Sequence, residues 1–164
     1  MRLLRRGVQI ITLLALIVGP ATTAHARSTD LWATVNVCDT ASAPNTIGIR
    51  GSMPGARSGR NVRYMRFVVE YYSETDRLWQ RVAGGGDSGW LRVGRGRRTR
   101  QYGRSLRIDP MGQDVLLRGL VYFQWRTDDG EVVRRARART RRGHRSDAGA
   151  DPPGYSASTC TIRA

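Results

Sequence analysis

Val62-Arg63-Tyr64-Met65-Arg66-Phe67-Val68-Val69-Glu70-Tyr71-Tyr72 is the stretch that decides the fold class of this chain. Met65, Phe67, Val69 and Tyr71 alternate with Arg66, Val68, Glu70 and Tyr72, and an extended backbone sends successive side chains to opposite faces. One apolar face and one mixed face describe a half-buried strand, the usual condition of a strand in an antiparallel sheet.

The same period of two recurs on both sides of it. Leu31–Cys38 alternates Leu31, Ala33, Val35 and Val37 with Trp32, Thr34, Asn36 and Cys38, and Thr46–Gly51 sets Ile47 and Ile49 on one face. Shorter strands are predicted at Leu78–Val82 and Trp90–Val93, separated by Gly84-Gly85-Gly86, and another at Ser105–Ile108, ended by Pro110. Val115–Thr127 and Glu131–Thr140 flank Asp128-Asp129-Gly130, and Asp-Gly between alternating runs signals a β-hairpin. Residues 143–155 read as a mobile loop, followed by a last strand over Ser156–Ile162. No segment of helical length beyond the N-terminal 26 residues carries a 3.6-residue apolar stripe. About eight strands in this order suit an all-β fold of two packed antiparallel sheets, a β-sandwich, because one open sheet would leave an apolar face in water.

Here the chain resembles the fibronectin type III and immunoglobulin-like family, over residues 31–141. Arg66–Tyr72, with Trp79 shortly after, looks like the family's third strand and following hairpin. Ser105–Pro110 and then Leu116–Arg126 look like its fifth and sixth strands. Leu117 stands where the family usually has a tyrosine, and Asn45–Gly51 holds no counterpart of its early buried tryptophan. The resemblance implies an antiparallel sandwich, here with an added C-terminal strand. It also implies a non-enzymatic role, since members are mainly binding and spacer modules.

The first 26 residues have the order of an export signal: basic Arg2, Arg5 and Arg6, an apolar run Val8–Val18, and Ala24-His25-Ala26 before a cleavage at Arg27. That run is shorter than the roughly 20 residues needed to cross a bilayer, so a retained anchor is the weaker reading. Arg5-Arg6 also admits twin-arginine export. Either route predicts a secreted or envelope protein of one domain over residues 27–164, not membrane-spanning after cleavage.

Both cysteines, Cys38 and Cys160, fall in the exported part, where an oxidising compartment lets them pair. An intermolecular bridge and two free thiols are the alternatives. An intrachain bridge would clasp the added terminal strand onto a sandwich complete near Thr140, unlike the core bridge between the sheets of antibody domains. Two cysteines and His144 fall short of a four-ligand zinc set, so neither a metal nor a cofactor is expected.

Net charge is +15, and all 28 basic residues are arginine. Complete replacement of lysine fits a codon bias, and it also fits selection for a polyanionic partner. Arg95, Arg97, Arg98, Arg100, Arg104 and Arg107 cluster around Tyr102, while Arg135, Arg137, Arg139 and Arg141 alternate along one predicted strand. An extended backbone points those four to one side about 6.5–7 Å apart, with Arg134, Ala136, Ala138 and Thr140 opposite. Such a ribbon suits the phosphates, sulfates or carboxylates of an extended anionic polymer. It also suits an edge strand charged against aggregation.

Catalytic patterns fare less well. Gly86-Asp87-Ser88-Gly89 resembles the nucleophile segment of chymotrypsin-like proteases, but a serine needs a neighbouring base. His25 leaves with the signal peptide, and His144 follows the motif in the wrong order. Gly84–Gly89 has dinucleotide-loop spacing but leads into a strand rather than a helix. Among Glu70, Glu74, Asp76, Asp109 and Asp114, no spacing singles out a hydrolytic pair. The leading expectation is a secreted, non-enzymatic domain that contacts an anionic surface polymer or a protein through Arg135, Arg137, Arg139 and Arg141. No specific nucleic-acid site is evident. A structural envelope protein with incidental charge is the second expectation, and a hydrolase the third.

Overall fold

The alternation of apolar side chains becomes nine strands in a computed structural model, which describes residues 30–164 apart from 57 and 111. The export signal read at residues 1–26 lies outside the described residues. In chain order the strands are β1 (Trp32–Thr40), β2 (Ala43–Met53), β3 (Val62–Ser73), β4 (Leu78–Arg81) and β5 (Leu91–Gly94). They continue with β6 (Arg100–Arg107), β7 (Val115–Arg126), β8 (Val132–Arg139) and β9 (Thr159–Ile162).

These strands form two antiparallel sheets in a sandwich-like pair. One has the order β1-β2-β6. In the other, β3 and β7 are central, with β4 and β5 sharing the free edge of β3 and β8 and β9 sharing that of β7. Ile47, Ile49 and Met53 from the first sheet meet Met65, Phe67, Val69, Val121, Phe123 and Trp125 from the second in a single core. Each such large apolar side chain contributes roughly 1.5–3 kcal/mol on burial. Gly119 of β7 faces Ile49 of the other sheet with no room for a side chain: a Cβ there would lie 2.7 Å from Ile49 Cδ1 and from Thr140 Cγ2.

The β7–β8 hairpin turns at the expected place. Gly130 takes φ +86°, a left-handed conformation that glycine adopts without steric cost, and the Thr127 amide donates to the Glu131 carbonyl at 2.9 Å.

Cys38 and Cys160 are bonded to each other, and here the structure corrects the idea of a clasp added outside a finished sandwich. β7 runs from Val115 to Arg126, whereas β8 covers only its Leu120–Arg126 portion. The remaining edge is taken by β9, which pairs Leu117 with Cys160 and buries Ile162 in the core. The disulfide therefore joins β1 of one sheet to β9 of the other.

Residues 143–155, read in the sequence as a mobile loop, contain no strand and lie across β1 and β2. Asn36 Nδ2 donates to the Gly149 carbonyl, the Asp151 amide to the Asn36 carbonyl at 2.9 Å, and Thr40 Oγ1 to Asp151 Oδ2 at 2.5 Å. Beyond this segment, Val35 and Ala157 exchange two backbone hydrogen bonds of 3.0 Å.

Candidate anion-binding groove

The pleat of β8 sets its outward side chains. Arg135, Arg137 and Arg139 stand opposite Gln124, Tyr122 and Leu120 of β7 and are exposed, while Ala136 and Ala138 pack against the core. Thr140 turns inward, accepting from the Gly119 amide through Oγ1 at 3.0 Å. The chain then crosses to the other sheet, where the Arg141 amide donates to the Ala33 carbonyl at 2.8 Å, so Arg141 is exposed beyond the end of β8 rather than on it. Arg134 is on the inward phase at the open end of the sandwich, and its guanidinium covers the Trp125 ring at 4.3 Å.

The crossing at Thr140 leaves a groove of about 660 Å³ between the outer face of the β3–β7–β8 sheet and the start of β1. It is lined by Leu120 and Tyr122 of β7, by Arg137, Arg139 and Arg141, and by Trp32 and His144. Glu70 also borders it, yet its carboxylate is taken by Arg118 Nε at 2.7 Å, with both side chains largely buried. The groove thus keeps a positive balance. Arg135 lies on the same face, one step further along β8.

Other arginines of the surface fall into two groups, those stacked on rings and those paired with carboxylates. Arg126 stacks over Tyr64 at 4.1 Å and near Trp90 at 5.2 Å, Arg118 over Trp79 at 4.2 Å, and Arg81 donates to the Tyr122 hydroxyl at 2.7 Å. These side chains are engaged in holding the surface together through ring contacts. The ion pairs among the described residues are Arg66–Asp87, Arg95–Asp128 and Arg118–Glu70. Arg135, Arg137, Arg139 and Arg141 belong to neither group.

Behind the groove stands Arg50, only 4% exposed. One nitrogen of its guanidinium donates to the Ala148 carbonyl at 3.1 Å and another to that of His144. Burial holds its pKa below the ordinary arginine value. The fork fixes the segment that carries His144, whose imidazole stacks on Trp32 at 4.2 Å with planes 5° apart. Burial, and secondarily the Arg50 charge, lowers the His144 pKa. No alternation in the sequence marks Arg50 as buried: it is on the outward phase of β2 and is covered only because residues 144–149 fold over it.

Several residues of the catalytic patterns are held in contacts within the fold. Ser88 Oγ accepts from the Phe67 amide at 2.9 Å and donates to the Gly89 carbonyl at 2.8 Å, while Asp87 is held by Arg66. Gly86 to Ser88 thereby fill the edge of β3 between β4 and β5. His144 lies at the opposite edge, against β1. Asp76 accepts from Ser73 and Gln80, and Asp114 from the backbone of Ala164. Among the described residues no group of three His, Cys, Asp or Glu side chains is placed to hold a metal ion. None of their helices is long and apolar enough to cross a membrane.

Comparison with family models, curated proteins and solved structures finds no match to this chain.

Proposed function

We propose that this chain is an exported, non-enzymatic binding domain that holds an acidic polysaccharide along β8, with Arg135, Arg137, Arg139 and Arg141 as the contacts. The observation that carries the reading is the groove itself: three of these arginines line a cleft whose one carboxylate is already neutralised by Arg118. A guanidinium offers a planar fork of donors to each carboxylate or sulfate. Polysaccharide is preferred to nucleic acid because base-stacking needs a series of open rings. The groove's rings are Trp32 and His144, closed upon each other, and Tyr122, whose hydroxyl accepts from Arg81.

Export is supported by the Cys38–Cys160 bridge, a bond that persists in oxidising compartments. We also infer a sandwich of the fibronectin type III or immunoglobulin-like kind. Its support is the pairing order β1-β2-β6 and β3-β7-β8, which parallels the A-B-E and C-F-G neighbours of that architecture.

The test is binding of the full exported chain to dextran sulfate across a salt series. The expected result is an affinity that falls steeply with salt and drops at least about tenfold when the four arginines become glutamine. Unchanged affinity in that variant, or no binding at low ionic strength, overturns the reading.

A further inference from the structure

Arg63 is fully buried, on the inward phase of β3 that continues through Met65, Phe67 and Val69. No carboxylate pairs with it among the described residues. Its Nη1 donates to the Arg98 carbonyl at 2.7 Å and its Nη2 to the Arg95 carbonyl at 2.8 Å. The guanidinium therefore reaches out of the core to grip the turn that connects β5 to β6.

Two further contacts fix that turn. The Ala56 amide donates to the Gly96 carbonyl at 3.2 Å, and Gly55 lies so close that a Cβ there would fall 1.9 Å from the Arg97 oxygen. The Arg97 and Arg98 side chains are exposed. β6 follows directly, with every residue but Leu106 exposed and with Arg100, Arg104 and Arg107 along it. Among the described residues it pairs only with β2, so it is an edge strand.

This cationic edge is at the margin of the first sheet opposite the strand that borders the groove. In the order β1-β2-β6, β1 is the strand bridged to Thr140, Asp151 and Ala157 beyond β8, which leaves β6 at the opposite margin. Tyr102 of β6 meets Phe67 of β3, and Arg100 reaches the Val93 carbonyl of β5, on the side away from β8. In the first sheet the groove wall Trp32 pairs with Ser52 and Ser52 with Gln101, so β6 stands two strand spacings, about 10 Å, from that wall. That exceeds the screening length of about 8 Å at physiological salt, so anionic chains on the two edges would repel each other weakly.

Both surfaces share one construction. Arg50 forks two carbonyls behind the groove, and Arg63 forks two carbonyls behind the β5–β6 turn. We propose that Arg97 and Arg98 of this turn, beside an Arg95 already paired with Asp128, form with β6 a second, pre-organised site for acidic polysaccharide, so that one molecule bridges two chains of the polymer. The inference rests on the groove reading above, and its ligand is the same.

Two double variants separate the edges: Arg97→Gln with Arg98→Gln, and Arg137→Gln with Arg139→Gln. Arg77→Gln with Arg163→Gln removes equal charge elsewhere. Each is checked by circular dichroism and titrated calorimetrically with a dextran sulfate oligosaccharide too short to reach both edges. Light scattering with long dextran sulfate then reports cross-linking. The expected result is two oligosaccharides per unsubstituted protein and one for each edge variant, with scattering from the long polymer reduced at least about fivefold in both. The control pair keeps two and scatters as before. If the unsubstituted protein binds one oligosaccharide and only the β8 variant loses it, bridging is overturned while the groove stands. If the β8 variant keeps full binding, the groove reading falls. Equal losses in the control pair overturn both sites in favour of undirected charge.

Discussion

The buried guanidinium of Arg63 and the backbone carbonyl of Arg98 meet in a hydrogen bond of 2.7 Å, a link from the inner face of β3 to an exposed cationic turn. An unpaired buried charge costs several kcal/mol, and bonds from a charged donor return roughly 1.5–3 kcal/mol each. Burial and the nearby Arg100 charge accordingly lower the Arg63 pKa. Because these effects nearly cancel, Arg63→Met is expected to change global stability by less than about 2 kcal/mol. The turn should loosen all the same. Hydrogen exchange at the Ala56 amide, which bonds to Gly96, should accelerate well beyond any change in the central strands, and uniform exchange in the variant would contradict the pinning role.

Gly119 permits the sheets to approach. Because a Cβ would stand 2.7 Å from both Ile49 and Thr140, Gly119→Ala must push the sheets apart or distort β7. Overpacking of this kind typically costs about 1–3 kcal/mol. Urea unfolding should show a lower midpoint with an unchanged slope.

The inter-sheet disulfide closes a loop of sequence separation 122. Chain entropy for such a loop sets a ceiling near about 5 kcal/mol, and typical contributions are about 2–4 kcal/mol. Replacing Cys38 and Cys160 together with alanine should lower stability by that amount in denaturant titration, and free β9 first. Faster exchange at Cys160 and Ile162 than at Val121 is the local signature.

His144 gives a pH dependence. Burial depresses its folded-state pKa below the ordinary 6.5, so the unfolded chain takes up the proton first. The stabilisation is complete above that value and is lost as pH falls through the window beneath it. Melting temperature should decline between about pH 7 and pH 5. His144→Phe, which keeps a ring against Trp32, should flatten that part of the profile. A wild-type curve already flat there would refute the linkage.

Much of the fold is legible in the sequence because strand alternation is a local property. Val62–Tyr72 and the hairpin about Asp128-Asp129-Gly130 sit where period and turn chemistry put them, as does the outward set Arg135, Arg137 and Arg139. What escapes is non-local. Nothing near Arg50 reports that residues 144–149 will cover it, and nothing near Cys160 reports that β7 outruns β8 and leaves an edge for β9. Arg63 is an intermediate case. It falls on the inward phase of the deciding strand, and a charge at such a position is itself a signal that its donors must find partners. The groove is the least legible feature, since it arises where the chain changes sheets at Thr140 and brings Trp32 alongside Arg139.

The bond between β1 and β9 also sets how the molecule carries mechanical load. A pull applied between the segment preceding Cys38 and the segment following Cys160 passes through a covalent shortcut, and the strands between the two cysteines bear none of it. The arginines of both edges lie inside that sheltered region, whereas Trp32 of the groove precedes Cys38 and lies outside it. Tension on the flanking segments would leave Arg97, Arg98, Arg137 and Arg139 in register until the disulfide is reduced, which makes thiol chemistry rather than force the means of releasing them.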